Sequence, residues 1–475
     1  MKKETIKLTS PYLKLPELFY HKVDPTPLLK PFLISKNSEL LKELGIDVND
    51  EELVKLINGS SAFSGSEPYA MCYAGHQFGH FVPRLGDGRA INLGKTESGW
   101  NLQLKGSGLT RYSRNGDGRA VLRSSIREYL MSEAMFALGI PTTRVLGIIG
   151  SQTDVARQMW ESGSVVMRLS PSWIRFGSFE YFYHSDNHAM LEQLAEFTIE
   201  ESFSDLKDKE DRYYLMFERV VESTATLMAQ WQAVGFNHGV MNTDNMSIAG
   251  LTIDYGPYSF LDDYNIDYIC NHTDEQGRYR FGHQPHIGHW NLSMLAKALS
   301  PLVNIERLNK ALESYGAIYT KNIHSLMSKK LGLKNIDSTT ELLGELFQIL
   351  QEQSLDYTLF FRELSSFNGD KEALLELCKS SESLDKWLDS YSFELKEQKS
   401  DFNKRSQQMK KTNPKFVLKN YILQEAIEKA DSGDFTLVND LLNIVHYPYD
   451  EHERFERYAK ATPKSKKNLI LSCSS

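Results

Sequence analysis

The chain has 475 residues, 41% apolar and 24% charged, with a formal net charge of −8, enough for a bilobal fold or for two or three domains. The acidic balance argues against nonspecific nucleic-acid binding as its main task, and no apolar run approaches the ~20 residues that cross a bilayer. The N-terminus lacks the apolar core of a signal peptide, and four scattered cysteines make neither a disulfide scaffold nor a zinc pattern, so the expectation is a cytoplasmic protein.

In chain order, residues 1–60 read as a leader. Pro11, Pro16, Pro25, Pro27 and Pro31 make it turn-rich, with short helices expected over Glu39 to Leu44 and Asp50 to Leu56. A β-rich lobe is expected over 61–182. It opens with His76 and His80, whose i, i+4 spacing invites a zinc reading. No HExxH frame surrounds them, so packing or substrate contact is the better expectation. Gly86-Asp87-Gly88-Arg89 is a tight turn, and Ala90 to Leu93 and Trp100 to Lys105 are strands around a hairpin loop. Alternation puts Gln103 and Lys105 on one strand face and Leu102 and Leu104 on the other. Lys105 therefore ends a strand just past a glycine turn, where a kinase-type fold carries the lysine that grips nucleotide phosphates.

The loop GSGLTRYSRNGDGR comes next and contains Asp117 and Gly118. Its glycines let backbone N–H groups approach an anion, and its arginines can take phosphate oxygens in pairs. VLRSSIREYLMSEAMFALG is a helix: Leu122, Ile126, Leu130 and Ala134 recur at helical spacing and Gly139 ends it. Glu128 on that helix is the candidate partner for Lys105. Thr142 to Gly150 and Ser164 to Leu169 are β-rich and carry Arg168, with Arg175 just beyond. The lower lobe, 183–330, turns helical from about Leu191 and holds a long helix over Tyr213 to Val234.

The stretch Gly235 to Gly256, GFNHGVMNTDNMSIAGLTIDYG, concentrates the chemistry. Asp244 and Asn245 stand side by side, and Asp254-Tyr255-Gly256 follows after a short apolar run. Oxygen ligands in two turns suit Mg²⁺ or Mn²⁺, with a nucleotide phosphate completing the set. The spacing fits the catalytic segment of a protein kinase: His238 takes the His of H-R-D-L-x-x-x-N, Asn245 the metal-binding Asn, and Asp254-Tyr255-Gly256 the Asp-Phe-Gly. Val240 stands where a kinase has its catalytic Asp and cannot accept a proton. Asp-Tyr-Gly alone is usually a turn, and Asp-Asn alone a loop or cap. Their joint placement after a strand Lys and a helix Glu carries the reading. An activation-loop-like stretch then precedes a helix at Asn291 to Leu299. Residues 302–460 look almost wholly helical, with 331–460 a C-terminal extension and 461–475 a flexible tail.

YAGHQFGHFVPRLGDGRA, LQLKGSGLTRYSRNGDGRAVLRSSIREYLMSEAM, GFNHGVMNTDNMSIAGLTIDYGP, HWNLSMLAKAL and DYTLFFREL all resemble the SelO family, called YdiU in bacteria, from about residue 60 to the C-terminus. The resemblance implies an α+β, bilobal protein-kinase-like fold with a β-rich N-lobe and a helical C-lobe. It implies AMP transfer from ATP, bound in flipped orientation, to hydroxyl side chains of protein substrates; UMP transfer from UTP is the alternative. Gly86, Gly88, Arg89, Lys105, Asp117, Gly118, Arg168, Arg175 and Asp254 would contact the nucleotide. Asn245 and Asp254 would hold the metal, and Asp244 would accept the proton. An unperturbed Asp, with a pKa of about 3.9, is a poor base at neutral pH, so Asp244 would mainly orient the hydroxyl. Some family members carry selenocysteine third from the C-terminus. Cys473 stands there, and a redox pair of Cys270 with Cys473 is the expectation. A monomer is expected, and a nucleotide-binding scaffold without turnover is the competing function.

Overall fold

The N-terminal half is built on an eight-stranded antiparallel sheet whose strands come from a longer stretch of chain than alternation alone marks. The computed structural model describes residues 6–334, 336–467, 469 and 471. The strands are β1 (Tyr20–Lys22), β2 (Phe32–Lys36), β3 (Tyr69–Met71), β4 (Gly75–Gln77), β5 (His80–Val82), β6 (Ala90–Lys95), β7 (Asn101–Lys105), β8 (Ala120–Val121), β9 (Arg144–Ala156) and β10 (Trp160–Ser170). The sheet runs β1-β3-β6-β7-β10-β9-β2, with β8 also paired to β10, while β4 and β5 form a separate hairpin. Residues read as a leader thus supply both ends of the sheet order. β9 and β10 outrun their apolar cores because polar residues at the hairpin tip keep pairing, Trp160 opposite Ala156.

Two helices, α1 (Ser38–Glu43) and α2 (Asp50–Ile57), cover one face. Asn49 caps α2 in a box with Glu52, which satisfies backbone donors that would otherwise be unpaired. Leu40, Leu53 and Ile57 pack there against Leu102, Leu104, Val165 and Met167. Each such side chain contributes about 1.5–3 kcal/mol on burial. The opposite face takes α3 (Leu122–Ala137), whose Ile126, Tyr129 and Leu130 join Val145, Ile148 and Val166 in the main core.

The rest of the chain is largely helical. α4 (Phe176–His184), α5 (His188–Ser202), α6 (Arg212–Val234), α7 (Gln284–Leu299) and α8 (Ile305–Leu331) surround the short pair β11 (Phe236–Asn237) and β12 (Ser259–Phe260). α7 begins seven residues before the expected Asn291. HQPHIGH has little apolar periodicity, but Pro285 in the first turn is a start signal. α9 (Ile336–Gln353), α10 (Tyr357–Leu364), α11 (Glu372–Leu375), α12 (Glu382–Glu397) and α13 (Phe402–Lys410) build a second core around Phe360, Trp387 and Tyr391. DYTLFFREL packs there, with Asp356 capping α10. Finally α14 (Asn420–Asp431) and α15 (Thr436–His446) return to α3. Arg127 donates to Asn420 at 3.2 Å, and His446 lies 3.2 Å from Glu133, which also holds Arg144 at 2.8 Å. The helix carrying Glu128 is thereby braced on both sides. Among the described residues, no helix is long and apolar enough to cross a membrane.

Candidate functional site

A cavity of about 620 Å³ opens between the sheet, α3 and the Gly235–Gly256 stretch, within the size range of small-ligand sites. Every residue named above for the nucleotide, the metal, the proton and the orientation of Lys105 lines it. Its floor is a buried charge cluster. Lys105, at the end of β7, lies 2.7 Å from Glu128 of α3 and 3.5 Å from Asp254. Arg168, on the neighbouring β10, reaches Glu128 at 2.7 Å and Asp254 at 2.5 Å. Arg175 pairs with the other Asp254 oxygen and donates to the Asp244 carbonyl at 2.7 Å. β7 and β10 are adjacent, with Gln103 opposite Arg168, so strand pairing delivers both cations to one spot.

Burial opposes ionisation of Asp254, but Arg175, Arg168 and Lys105 outweigh it and hold its carboxyl well below the usual range. Glu128 is likewise lowered against burial by Lys105 and Arg168. Lys105 is lowered, by burial first and then by the crowding of Arg168 and Arg89 against the pull of Glu128. The described residues lining the cavity include seven Lys or Arg against five Asp or Glu, an excess that a polyphosphate would neutralise.

Asp244 sits in a single 3-10 turn, Thr243–Asn245, between Val240 and a bridge pairing Met246 with Thr252. Burial pushes its carboxyl up to about 7, against the pull of Arg175. A carboxyl raised toward neutrality is matched to proton transfer, the role the resemblance implies for it. Its Oδ1 is buried without a hydrogen-bond partner. Val240, in the position of the kinase Asp, lines the same cavity. His238 is buried, stacked on Trp231, and in contact with the Ile253 carbonyl at 3.0 Å; burial lowers its pKa. It holds the backbone before Asp254, which sits at φ 56°.

The glycine loops form one wall. Thr110 donates to the Asp87 carbonyl at 2.7 Å and Ser113 to the Gly88 carbonyl at 2.5 Å, tying the Gly86–Arg89 turn to the 106–119 loop. Gly118 has φ +71°, and a Cβ there would meet the Gly108 carbonyl at 2.2 Å, so only glycine fits. Asp117 is held by Arg157 at 2.7 Å and lies half exposed. Arg89 is exposed at the mouth.

Several lining residues escaped the sequence reading. Asp87 is buried and accepts from the Met71 N–H and Asn92, each at 3.0 Å, with Arg175 at 4.0 Å; its place in the glycine turn was the available signal. Gln103 takes Arg168 at 2.8 Å, and its position two residues from Lys105 on the same face could have flagged it. Nothing local marks Arg157, whose partner lies 40 residues earlier, or Gln77, which donates to Asp244 across 167 residues. His76 and His80 lie on β4 and β5, so helical spacing does not apply to them. His76 instead contacts Glu180 at 2.8 Å.

For a divalent cation, the available donors are oxygens. Asn245 commits its amide nitrogen to the Val240 carbonyl at 3.0 Å, which leaves its amide oxygen for a ligand. Asp254 lines the same cavity. This set fits Mg²⁺ or Mn²⁺ chemically. Among the described residues, no group of three or more His, Cys, Asp or Glu is gathered as a metal site, so substrate phosphates would have to complete the shell. Cys270 is buried beside Gly239 and contacts the Pro257 carbonyl at 2.7 Å. Cys473 lies outside the described residues. The His272 N–H donates to the Leu471 carbonyl at 2.7 Å, which brings the C-terminal chain beside the Cys270 segment.

The family model for protein adenylyltransferase SelO matches residues 3–446. A protein nucleotidyltransferase YdiU from Myxococcus xanthus is 46% identical over 484 residues, covering 99% of each chain. The proteins of that name from Aliivibrio fischeri (46% over 480 residues, 99% of each) and Pseudomonas aeruginosa (45% over 474 residues, 98% of each) are similarly related. With a match this long, and with the motif residues gathered around one basic cavity, the chain belongs to the SelO/YdiU family of protein nucleotidyltransferases.

Proposed function

We propose that this protein transfers AMP from ATP to Ser, Thr or Tyr hydroxyls of other proteins, with the triphosphate tail directed inward in a kinase-like cleft. The observation that carries the reading is the convergence of Lys105, Arg168 and Arg175 on Asp254 at the buried end of the cavity. These three cations are buried, each within reach of Glu128, Asp254 or Asp87. A β,γ-phosphate pair fits that end, which leaves the α-phosphorus nearer the mouth and Asp244. Lys105, oriented by Glu128, and the two arginines bind the terminal phosphates. The glycine loops approach the remaining phosphate oxygens through backbone N–H groups. The acceptor hydroxyl gives its proton to Asp244 as its oxygen bonds the α-phosphorus and the bond to the β-phosphate oxygen breaks. Pyrophosphate leaves into the cationic pocket, whose charge offsets what develops on the leaving group. Asn245 and Asp254 would hold a divalent cation, which supplies further neutralisation of phosphate charge.

The test uses ATP labelled at the α-phosphate beside ATP labelled at the γ-phosphate, with a mixed soluble-protein extract as acceptor. Protein-bound label from the α position alone is expected, and label from the γ position alone refutes the proposal. The relatives' names specify nucleotidyl transfer without a base, so α-labelled UTP with Mn²⁺ is run in parallel. Redox control through Cys270 and Cys473 belongs to the same proposal, supported by the approach of the 471 backbone to the Cys270 segment. Peptide mapping of the oxidised protein is expected to find the two cysteines linked, and their absence from any linked pair ends that part.

A further inference from the structure

Apart from Arg175 and Gly177 at the start of α4, the distant residues around Asp244 belong to one element, the β4–β5 hairpin. Gly75 lies directly on the carboxylate: a Cβ there would meet Asp244 Oδ1 at 2.8 Å, its Cβ at 2.9 Å and its backbone N at 3.0 Å. The His76 N–H donates to Thr243 Oγ1 at 2.7 Å, and the Thr243 hydroxyl donates in turn to Glu180 at 2.6 Å. The His76 ring closes that loop on Glu180 at 2.8 Å. Gln77 Nε2 donates to Asp244 Oδ2 at 3.2 Å. The Phe78 N–H donates to the Tyr279 hydroxyl at 2.9 Å, which in turn donates to Asn242 at 2.7 Å. Four consecutive hairpin residues thus engage three consecutive positions, 242–244.

We infer that the hairpin is the positioning device for Asp244 and that Gln77 is its working contact. Gln77 fixes the carboxylate's rotation by donating to Oδ2 at 3.2 Å, while Oδ1 lies buried under Gly75, so Oδ2, with its second lone pair, is the oxygen offered to the acceptor hydroxyl. The inference rests on the proposed role of Asp244 in accepting that proton. The physical ground is rotational. A carboxylate can turn about its Cβ–Cγ bond, and among the described residues the Gln77 amide is the side chain that meets Oδ2. Gly75 prevents the opposite fault by leaving room for Oδ1. Arg175 holds Asp244 by its carbonyl and not its carboxylate. Gln77 also lines the cavity, so it is poised at the acceptor side and not in the phosphate-binding floor. A positioning residue of this kind acts on turnover and leaves nucleotide binding alone, because 1 Å of misplacement is felt in the transition state.

The experiment measures initial rates of α-label transfer from ATP to a mixed soluble-protein extract, as kcat and KM for ATP, in Gln77→Met, Gly75→Ala, Asp244→Asn and the Gln77→Met/Asp244→Asn pair. Met keeps the length of Gln and removes the donor. Hydrogen bonds to charged groups lead us to expect kcat to fall about 10- to 100-fold in Gln77→Met, with KM for ATP and the melting temperature unchanged. Gly75→Ala should fall similarly by crowding Oδ1. In the Asp244→Asn background, Gln77→Met should have no further effect, since the contact it removes has already lost its purpose. Gln77→Met turning over within twofold of wild type while Asp244→Asn is dead overturns the inference alone. Full activity in Asp244→Asn overturns the proton-acceptor role beneath it. A Gln77→Met loss that appears equally in both backgrounds also overturns the inference, because it would mark packing.

Discussion

Asp254→Asn tests the charge cluster most directly. The substitution keeps the shape and removes one negative charge from a site where Arg168 approaches at 2.5 Å, Lys105 at 3.5 Å and Arg175 bonds the second oxygen. Afterwards Lys105 and Arg168 share Glu128, and Arg175 keeps only Asp87 at 4.0 Å. Removing one partner of a fully buried pair costs about 3–5 kcal/mol. The Asp254 side chain is 20% exposed, so the lower end, about 3 kcal/mol, applies. For a chain of 475 residues unfolding as one unit, that corresponds to a melting temperature lowered by ~3 °C. The uncompensated cations should also bind an anion better. Inorganic tripolyphosphate, without metal or nucleoside, is expected to bind about tenfold tighter by calorimetry, a gain of ~1.4 kcal/mol. α-Label transfer from ATP should meanwhile fall by about 10³ or more. Wild-type transfer in this variant, or weaker tripolyphosphate binding than wild type, would refute the reasoning.

Gly118→Ala places a Cβ 2.2 Å from the Gly108 carbonyl at φ +71°; the loop must distort, and KM for ATP should rise at least about tenfold with little change in melting temperature, since strain of this kind costs ~1–3 kcal/mol locally. Lys330 is buried over the Phe361 ring at 4.4 Å, and burial pushes its pKa down to about 7. The unfolded chain holds a proton there up to a much higher pH, so the fold gains stability from this group as pH rises above 7, by about 1.4 kcal/mol per unit. Lys330→Met should therefore melt higher than wild type at pH 7, with the gap closing toward pH 10 in a thermal-melt series. Glu133 is lowered, against burial, by His446 and Arg144. Its contribution is present above the unfolded carboxylate pKa and lost as pH falls through the folded one. Glu133→Gln should cost about 3–5 kcal/mol at pH 7 in denaturant melts and progressively less below about pH 4.

Much of the local structure was legible because it depends on neighbours in sequence. Alternation at Leu102 and Leu104 against Gln103 and Lys105 marks β7, and the 3.6-residue spacing of Leu122, Ile126, Leu130 and Ala134 marks α3. The packed structure keeps both faces, with the leucines in one core and Lys105 against Glu128. Apolar spacing places the start of α7 too late, because its first two turns bury Gln284, Ile287 and Gly288, a face that such periodicity does not describe.

Family membership and the short-range grammar of strands, helices and glycine turns were determined by the residue order alone, since both live in runs of a few tens of residues. Which groups share an oxygen atom was decided only in three dimensions. Gln77 reaches Asp244 across 167 residues, and Arg175 meets Asp254 across 79. Burial then sets the chemistry: it pushes Asp244 up to about 7, while three cations hold Asp254 down. Two aspartates ten residues apart, identical as letters, are pushed in opposite directions because desolvation and charge contacts are properties of the packed chain.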